Sequence, residues 1–522
     1  MRRPLLTGIG RGLACWPATA GVGAVTALAV WRVWGSLQQT PLYHDEEAYR
    51  LQAEIFASGR WSAPSPPLPE FFHQYHILVE PVLASKYFPG HSLLIAPGAW
   101  LGLPGLIPLL FSALAGALIF VLARRLSNPW VALVTWLLWL GGLHNLWWRA
   151  SYFSETSTSL LWLFSCLLLL RYRERGGTLD LVALAGAAGW TAITRPLTAI
   201  ALWLPIGVVV LHGAWQRRRL ASLVPALAVG ILVLGILPLW SWGTMGTVEN
   251  SPWAEYTRQY IPWDGLGFGR GAGSPTQELP DDMRRFSDEF AALRSEHTLA
   301  SLPGTVFIRL AAAVVSVGGG WRGVLVPLGI WSLIAGVRHR RFLCASWLAL
   351  FLAYLLYAHP PRWTLYQMET LPIAAFFMAA GLWRLSVLAV SRTRHRGNSR
   401  KVLRFRMLLA AVAMAGLLPR DVHIARDEMK HQRSYHDRFA LRLRNATSGR
   451  SGVFIRYSGD HPTRYNIVRI TPDVRSAETV LARDRGAENV RLMRELPGRT
   501  WYLFEEKTGS LRRLDDAGSP SP

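Results

Sequence analysis

Apolar stretches long enough to cross a bilayer recur from residue 17 to residue 419, separated by short turns rich in arginine. Inside lipid a backbone must satisfy its own hydrogen bonds, which confines a chain of this pattern to a bundle of helices. Apolar length and flanking charge mark about eleven spans, near 17–36, 92–122, 129–147, 157–171, 179–194, 197–212, 220–242, 322–337, 342–358, 371–390 and 403–419. The second is long and interrupted by Pro97 and Pro104, which predicts a short interfacial helix followed by a crossing one. The fifth and sixth are short and meet at Thr194-Arg195-Pro196.

Charge sets the orientation. Arg2, Arg3 and Arg11 start on one side, which also receives Arg124 and Arg125, RYRER at 171–175, RRR at 217–219, RHRR at 338–341 and SRTRHRGNSRK at 391–401. Short basic loops stay cytoplasmic, so the 37–91 loop, the 243–303 loop and the C-terminal tail are expected on the outer face. The same rule accounts for the formal net charge of +23, and no nucleic-acid-binding motif accompanies that charge. The 24 tryptophans suit aromatic belts at two membrane interfaces. Cys15, Cys166 and Cys344 lie in or beside apolar spans and form neither a disulfide nor a metal pattern. Ala18-Thr19-Ala20 precedes most of the first apolar run instead of following it, so an uncleaved signal anchor is expected. A crossing at 304–320 would put RHRR on the outer face, and an interfacial or re-entrant helix is expected there instead.

Composition changes near residue 420, dividing a membrane domain, 1–419, from a small α/β domain outside the bilayer, 420–522. The latter predicts a charged helix over 424–445, strands at GVFIRYS, NIVRIT and TWYLFEE, a helix over 476–496, and a frayed DDAGSPSP end.

Polar chemistry collects on the expected outer face. PLYHDEEAYRLQ, directly after the first span, carries Asp45 and Glu46 between Tyr43 and Tyr49. A carboxylate at the lip of the bilayer can take a proton from a hydroxyl or bind a divalent cation, and desolvation there raises its pKa unless a cation compensates. The following loop adds Glu70, His73, His76, Glu80, Lys86 and His91. Later edges add His144, Arg149, Glu155, Arg195, Arg362, Tyr366 and Glu369. Lys86 stands where the chain re-enters lipid, suited either to snorkelling or to pairing with a phosphate. Arg195 lies between two apolar runs, where a charge needs a partner. Glu155 suits a helix N-terminus as well as a site. The histidine spacing gives no zinc motif, and the chain has neither a phosphate-binding P-loop nor a G-x-S-x-G elbow.

HDEEAY after the first span, KYFPGHSLLIAPGAWLGLP entering the second, FSETSTSLLWL, TRPLTAIALWLP and YAHPPRWTLYQMETLPIAAFFMAAGL together resemble the GT-C glycosyltransferases that use polyprenyl-phosphate sugars. The nearest branch is the protein O-mannosyltransferase-like and lipid A aminoarabinose transferase-like bacterial group. The resemblance covers about 40–390. It implies a mainly α, polytopic GT-C-like fold with Asp45 as catalytic base and Glu46 as its neighbour in the acidic motif. Tyr49 matches the aromatic four residues after the acid, and Lys86 matches the lysine at the lipid phosphate. The substrate-binding set then comprises Tyr49, Glu70, Lys86, His91, Glu155, Arg195, Arg362 and Tyr366. Two positions depart from the pattern. An arginine frequent three residues after the acid is Ala48 here, leaving phosphate binding to Lys86, Arg195 or Arg362, and the usual Lys-Pro-Pro reads KYFPG.

The expected activity is transfer of a sugar from a polyprenyl-phosphate donor to a glycan, lipid or protein acceptor, outside a bacterial inner membrane. The N-terminus is expected in the cytoplasm and the C-terminal domain outside. No cofactor is implied beyond a divalent cation at the acids. The competing class is a transporter or lipid flippase, which would place ionisable groups at the midplane and show repeated halves.

Overall fold

The first apolar run forms α1 (Trp16–Trp34), and ten residues later the acidic motif opens α2 (His44–Ala57). A small antiparallel sheet follows, made of β1 (Ala63–Pro64), β2 (Ile77–Leu78) and β3 (Val82–Ser85) in the order β1-β3-β2. The long second span is split into α3 (Pro89–Trp100) and α4 (Leu106–Leu126), as its prolines predict, with Pro104 in the turn and Pro97 inside α3. This computed structural model describes residues 16–514 apart from 270, 272, 338, 392–398 and 448. Cys15, Arg2, Arg3, Arg11 and the 515–522 tail lie outside the described residues.

The third span is broken as well, into α5 (Pro129–Leu140) and α6 (Leu143–Arg149). The break falls at Gly141, where a Cβ would meet Arg322 Nη2 at 2.4 Å and Asp421 Oδ2 at 3.0 Å, so neighbouring helices press on the backbone. Next come α7 (Glu155–Arg175), α8 (Thr178–Ala192), α9 (Pro196–Gln216), α10 (Leu223–Leu234) and α11 (Ile236–Met245). Two helices of the 243–303 loop, α12 (Pro252–Tyr260) and α13 (Asp281–Glu296), precede α14 (Leu302–Gly318) and α15 (Val326–Ile334). The membrane part closes with α16 (Arg340–Leu355), α17 (Leu371–Ser391) and α18 (Ser399–Ala446). In the bundle, α4 packs on α1, α5 and α7, α8 on α7 and α10, α9 on α16, and α17 on α5 and α15. The α1–α4 contact is close enough that a Cβ at Gly116 would lie 2.4 Å from Thr26 Oγ1.

Among the described residues, five helices are long and apolar enough to span a membrane, or six if the bent pair α14–α15 is one span. The eleven stretches read from sequence exceed that number because α5 and α8 are short apolar helices, α16 has only 16 residues, and α1 and α7 are not among the five. In addition, α7 opens on Glu-Thr-Ser-Thr-Ser, whose side chains are buried by protein. The chain is a multi-pass membrane protein. The pair α14–α15 turns by 106°. Arg309 donates to the Tyr354 and Tyr357 carbonyls, and Ser316 Oγ lies 3.2 Å from His144 Nδ1. A broken span and a re-entrant segment both have that form.

The arginine turns gather at the opposite end. Arg217 donates to the Tyr172 and Arg173 carbonyls, Arg173 contacts His339, and Arg125 pairs with Glu174 at 3.8 Å.

Helix α18 is 48 residues long and continues past the composition change at 420 without interruption, so the bundle and the following domain share it. That domain is a four-stranded sheet, β4 (Ser451–Arg456), β5 (Thr479–Arg483), β6 (Thr500–Glu505) and β7 (Ser510–Arg513), with α19 (Asn489–Glu495). The strand order is β5-β4-β6-β7, parallel except for the β6–β7 pair. Two sequence expectations differ. The helix expected over 476–496 is β5 followed by α19, because Val480 and Ala482 alternate into the core. NIVRIT is no strand; the Tyr457 hydroxyl accepts the Ile467 and Val468 N–H groups and takes the place of a ladder.

This domain docks on the first long loop. Ala48, Leu51, Ile55, Phe71 and Phe72 share one core with Phe454, Val480, Leu492, Trp501 and Leu503. Arg483 reaches across to α13 and grips Asp282 with two bonds, 2.5 and 3.0 Å, and both side chains are buried. Burial would raise the Asp282 carboxyl, but Arg483 holds it below the usual range. Replacing Asp282 by Ala strands the arginine. A loss of about 3–5 kcal/mol is expected, seen as a lower melting temperature in detergent, whereas a paired Asp282→Leu/Arg483→Met exchange recovers most of it.

Candidate active site

The first turn of α2 separates its acids. At 100° per residue, neighbours face different surroundings. Glu46 turns inward and is 1% exposed. Its Oε1 accepts the Tyr43 N–H at 3.4 Å and its Oε2 the Tyr152 N–H at 3.1 Å, which caps the helix and ties it to the segment before α7. Burial pushes its carboxyl up to about 7 against the pull of Arg433 and these N–H groups. Glu47 pairs with Arg469 of the C-terminal domain at 3.7 Å. Asp45 turns the other way, and its side chain keeps 33% of its surface exposed.

Asp45 faces a ring of tyrosines and cations. Tyr87 donates its hydroxyl to Asp45 Oδ1 at 2.5 Å, and His76 Nε2 lies 3.8 Å from Oδ2. Burial and the nearby Lys86 hold the His76 imidazole well below its usual range, so it stands neutral beside the carboxylate. Lys86 is 6% exposed, with its ammonium 5.3 Å from both the Tyr87 and the Tyr256 rings. Burial lowers its pKa, and the charges of Asp264 and Asp45 oppose that. Asp264, half-buried, belongs to the glycine-rich 264–273 stretch. Arg294 pins that stretch by donating to the carbonyls of Gly265, Leu266 and Gly267 at 2.8–3.0 Å. Burial raises the Asp264 carboxyl, countered by Lys86 and Arg294.

Beneath this ring lies a paired cation. Arg195, the residue before α9, contacts Glu155 Oε1 at 2.5 Å and donates to Ser154 Oγ at 3.2 Å and Tyr354 Oη at 2.7 Å. Its guanidinium also lies over the Tyr354 and Tyr366 rings, at 5.7 and 5.4 Å. Tyr49 donates to the same Ser154 at 2.9 Å and stacks on Tyr87 at 4.6 Å. Tyr49, Tyr366, Tyr357, Tyr256 and Glu155 all sense the Asp45 charge.

Of the residues singled out in the sequence, the structure thus brings Asp45, Tyr49, Lys86, Glu155, Arg195 and Tyr366 together. Others stand elsewhere. Glu70 pairs with Arg491 of the C-terminal domain at 3.3 Å. His91 is buried with both ring nitrogens occupied, by Ser157 Oγ and the Tyr152 carbonyl. Arg362 is exposed and makes none of these contacts. Glu369 is buried and accepts the Thr158 hydroxyl at 2.6 Å. Arg149 is fully buried with its guanidinium over Trp139. Sequence reasoning passed over Tyr87, Asp264 and Tyr354. Only the glycines after Asp264 signalled an unusual backbone there. Among the described residues no three His, Cys, Asp or Glu side chains gather as metal ligands.

No protein-family model matches the chain, and no curated protein matches it in sequence. Solved structures do. The crystal structure of ArnT from Cupriavidus metallidurans bound to undecaprenyl phosphate matches with a TM-score of 0.52 at 15% identity, over 93% of this chain and 93% of that one. The apo crystal structure of ArnT from the same organism gives 0.50 at 16%, over 95% and 94%. The chain has their GT-C fold.

Because the folded Glu46 carboxyl sits near 7 and an unfolded one near 4.5, its burial favours the folded state fully below pH 4.5 and loses that contribution as pH rises through 7. The difference is about 3 kcal/mol at most. Glu46→Gln is therefore expected to flatten the fall in melting temperature between pH 5 and pH 8.

Proposed function

We propose that the protein transfers a sugar from a polyprenyl-phosphate carrier to an acceptor hydroxyl at the outer membrane surface. The observation that carries this reading is the half-exposed Asp45 carboxylate, set beside Lys86 and above the Arg195–Glu155 pair. The ArnT match, whose crystal structure holds undecaprenyl phosphate, supports a lipid-phosphate donor.

In this reading Asp45 takes the proton from the acceptor hydroxyl. The freed oxygen attacks the anomeric carbon, the bond from that carbon to the phosphate oxygen breaks, and its electron pair stays on the lipid phosphate. Lys86 and Arg195 stabilise that phosphate as its charge grows. Glu155, Ser154 and Tyr354 hold the arginine in place, so little reorganisation is needed when charge develops. Neutral His76 leaves Asp45 free to accept a proton. Glu46 serves as the cap that aims Asp45, and Glu70 and Arg362 stay outside the chemistry. The arginine-rich turns would lie in the cytoplasm and the C-terminal domain outside, in a bacterial inner membrane.

The test uses the full chain in lipid nanodiscs with undecaprenyl-phosphate mannose and undecaprenyl-phosphate aminoarabinose, assayed for released undecaprenyl phosphate and for labelled product in added envelope lipids and glycans. Asp45→Asn is expected to lower transfer by about 10²–10⁴-fold while undecaprenyl phosphate still binds. Lys86→Met is expected to weaken that binding. Full activity in Asp45→Asn would refute the base, and lipid movement across vesicles with no covalent product would replace the enzyme with a carrier.

A further inference from the structure

We infer that Tyr87 is the positioning residue for Asp45, holding the carboxylate that, on the reading above, receives the acceptor proton. The inference begins with the face of α2. Asp45, Tyr49 and Gln52 stand at i, i+4 and i+7, so one helical face presents all three. Each meets the same short segment, 85–87. Gln52 Oε1 accepts the Ser85 N–H at 2.9 Å, the Tyr49 ring stacks on the Tyr87 ring at 4.6 Å with 22° between planes, and Asp45 Oδ1 accepts the Tyr87 hydroxyl at 2.5 Å.

Tyr87 is itself fixed before it reaches Asp45. Its backbone N–H donates to Ser85 Oγ at 3.1 Å, and two residues later Pro89 opens α3. A phenol held this way orients one carboxylate oxygen and leaves Oδ2 toward His76, 3.8 Å away, for an incoming hydroxyl. Burial and the Asp45 charge push the phenol pKa far above its ordinary value, which keeps it a donor throughout the working range. The other charged and titratable groups around Asp45 are Lys86 and His76 from the same loop, Asp264 and Tyr256 from the 243–303 loop, Tyr49 on α2, Glu155 at the start of α7, and Tyr357 and Tyr366 before α17. Among the described residues Tyr87 is the group that hydrogen-bonds the Asp45 carboxylate. The contact belongs to this chain's own wording of the motif, KYFPG, because a proline directly after the lysine would have no hydroxyl to give.

Tyr87→Phe keeps the ring on Tyr49 and removes only the donor. In nanodiscs with undecaprenyl-phosphate mannose or aminoarabinose, whichever the protein consumes, kcat is expected to fall about ten- to a hundred-fold, with the donor KM and undecaprenyl phosphate binding unchanged. Infrared difference spectra, wild type minus Asp45→Asn, isolate the Asp45 carboxylate stretch. That band is expected to move when Tyr87→Phe replaces wild type, a readout that needs no turnover. A wild-type kcat with an unmoved band overturns the inference, and so does loss of undecaprenyl phosphate binding in parallel with kcat. Asp45→Asn keeps the two readings apart. If it leaves transfer intact, the base assignment falls and this proposal with it; if it abolishes transfer while Tyr87→Phe changes nothing, only the proposal falls.

Discussion

One turn of helix, the start of α2, governs the candidate site. The chain leaves α1, runs nine residues, and opens α2 with His44 followed by three acids in a row. Helical rotation sends each to a different fate. Glu46 is spent on the backbone N–H groups of Tyr43 and Tyr152, and Glu47 on Arg469. Asp45 alone faces the tyrosine-lined side. Three consecutive carboxylates would repel one another if they shared a face, and the helix resolves this by geometry. The capping bond at Glu46 fixes where the helix starts, so it also fixes the direction in which Asp45 points.

The second constraint is the cost of charge next to lipid. An unpaired guanidinium or ammonium at that depth is expensive, and the structure meets the cost in two ways. Arg195 has a carboxylate partner, Glu155, and two hydroxyls. Among the described residues Lys86 has no contact ion pair; its surroundings are the faces of Tyr87 and Tyr256 with Asp45 and Asp264 further off. Aromatic faces attract a cation without consuming its hydrogen-bond donors. A lysine solvated by rings keeps its N–H groups available, whereas the arginine below is already committed to its neighbours. The two cations therefore differ in kind: one is held by aromatic faces and the other by a carboxylate and hydroxyls.

Much of this could be read in the sequence and some could not. Apolar runs located the helices because lipid permits few alternatives, and the prolines located the break between α3 and α4. The acidic motif, Lys86, Glu155 and Arg195 were visible because charge near apolar sequence needs a reason. The close approach of Arg322 and Asp421 to Gly141 was not visible, since both are distant in sequence. The same holds for Tyr87, whose hydroxyl matters only because α2 lies across from it. Glu70 and Arg362 looked like their neighbours in composition, yet one is taken up by Arg491 and the other stands in solvent. Composition reports which residues are costly; it does not report which partner meets the cost. The 476–496 stretch fails for a related reason, because its charged residues suit a helix while the alternation of Val480 and Ala482 into a shared core makes β5.

That shared core bears on what the C-terminal domain does for the site. Ala48, Leu51 and Ile55, on the back of α2, pack with Val480, Trp501 and Leu503, while Asp45, Tyr49 and Gln52 occupy the front. One helix thus has its rear face buried by the C-terminal domain and its forward face turned to the candidate site. The domain is attached at two further points, through uninterrupted α18 and through the Arg483–Asp282 clamp on α13, the helix that also carries Arg294 and so pins the stretch bearing Asp264. Both carboxylates around Lys86 therefore stand on elements that the domain braces, from opposite directions. A displacement of the sheet would move Asp45 and Asp264 relative to the lysine between them, so the geometry of the site and the docking of the domain are a single mechanical unit.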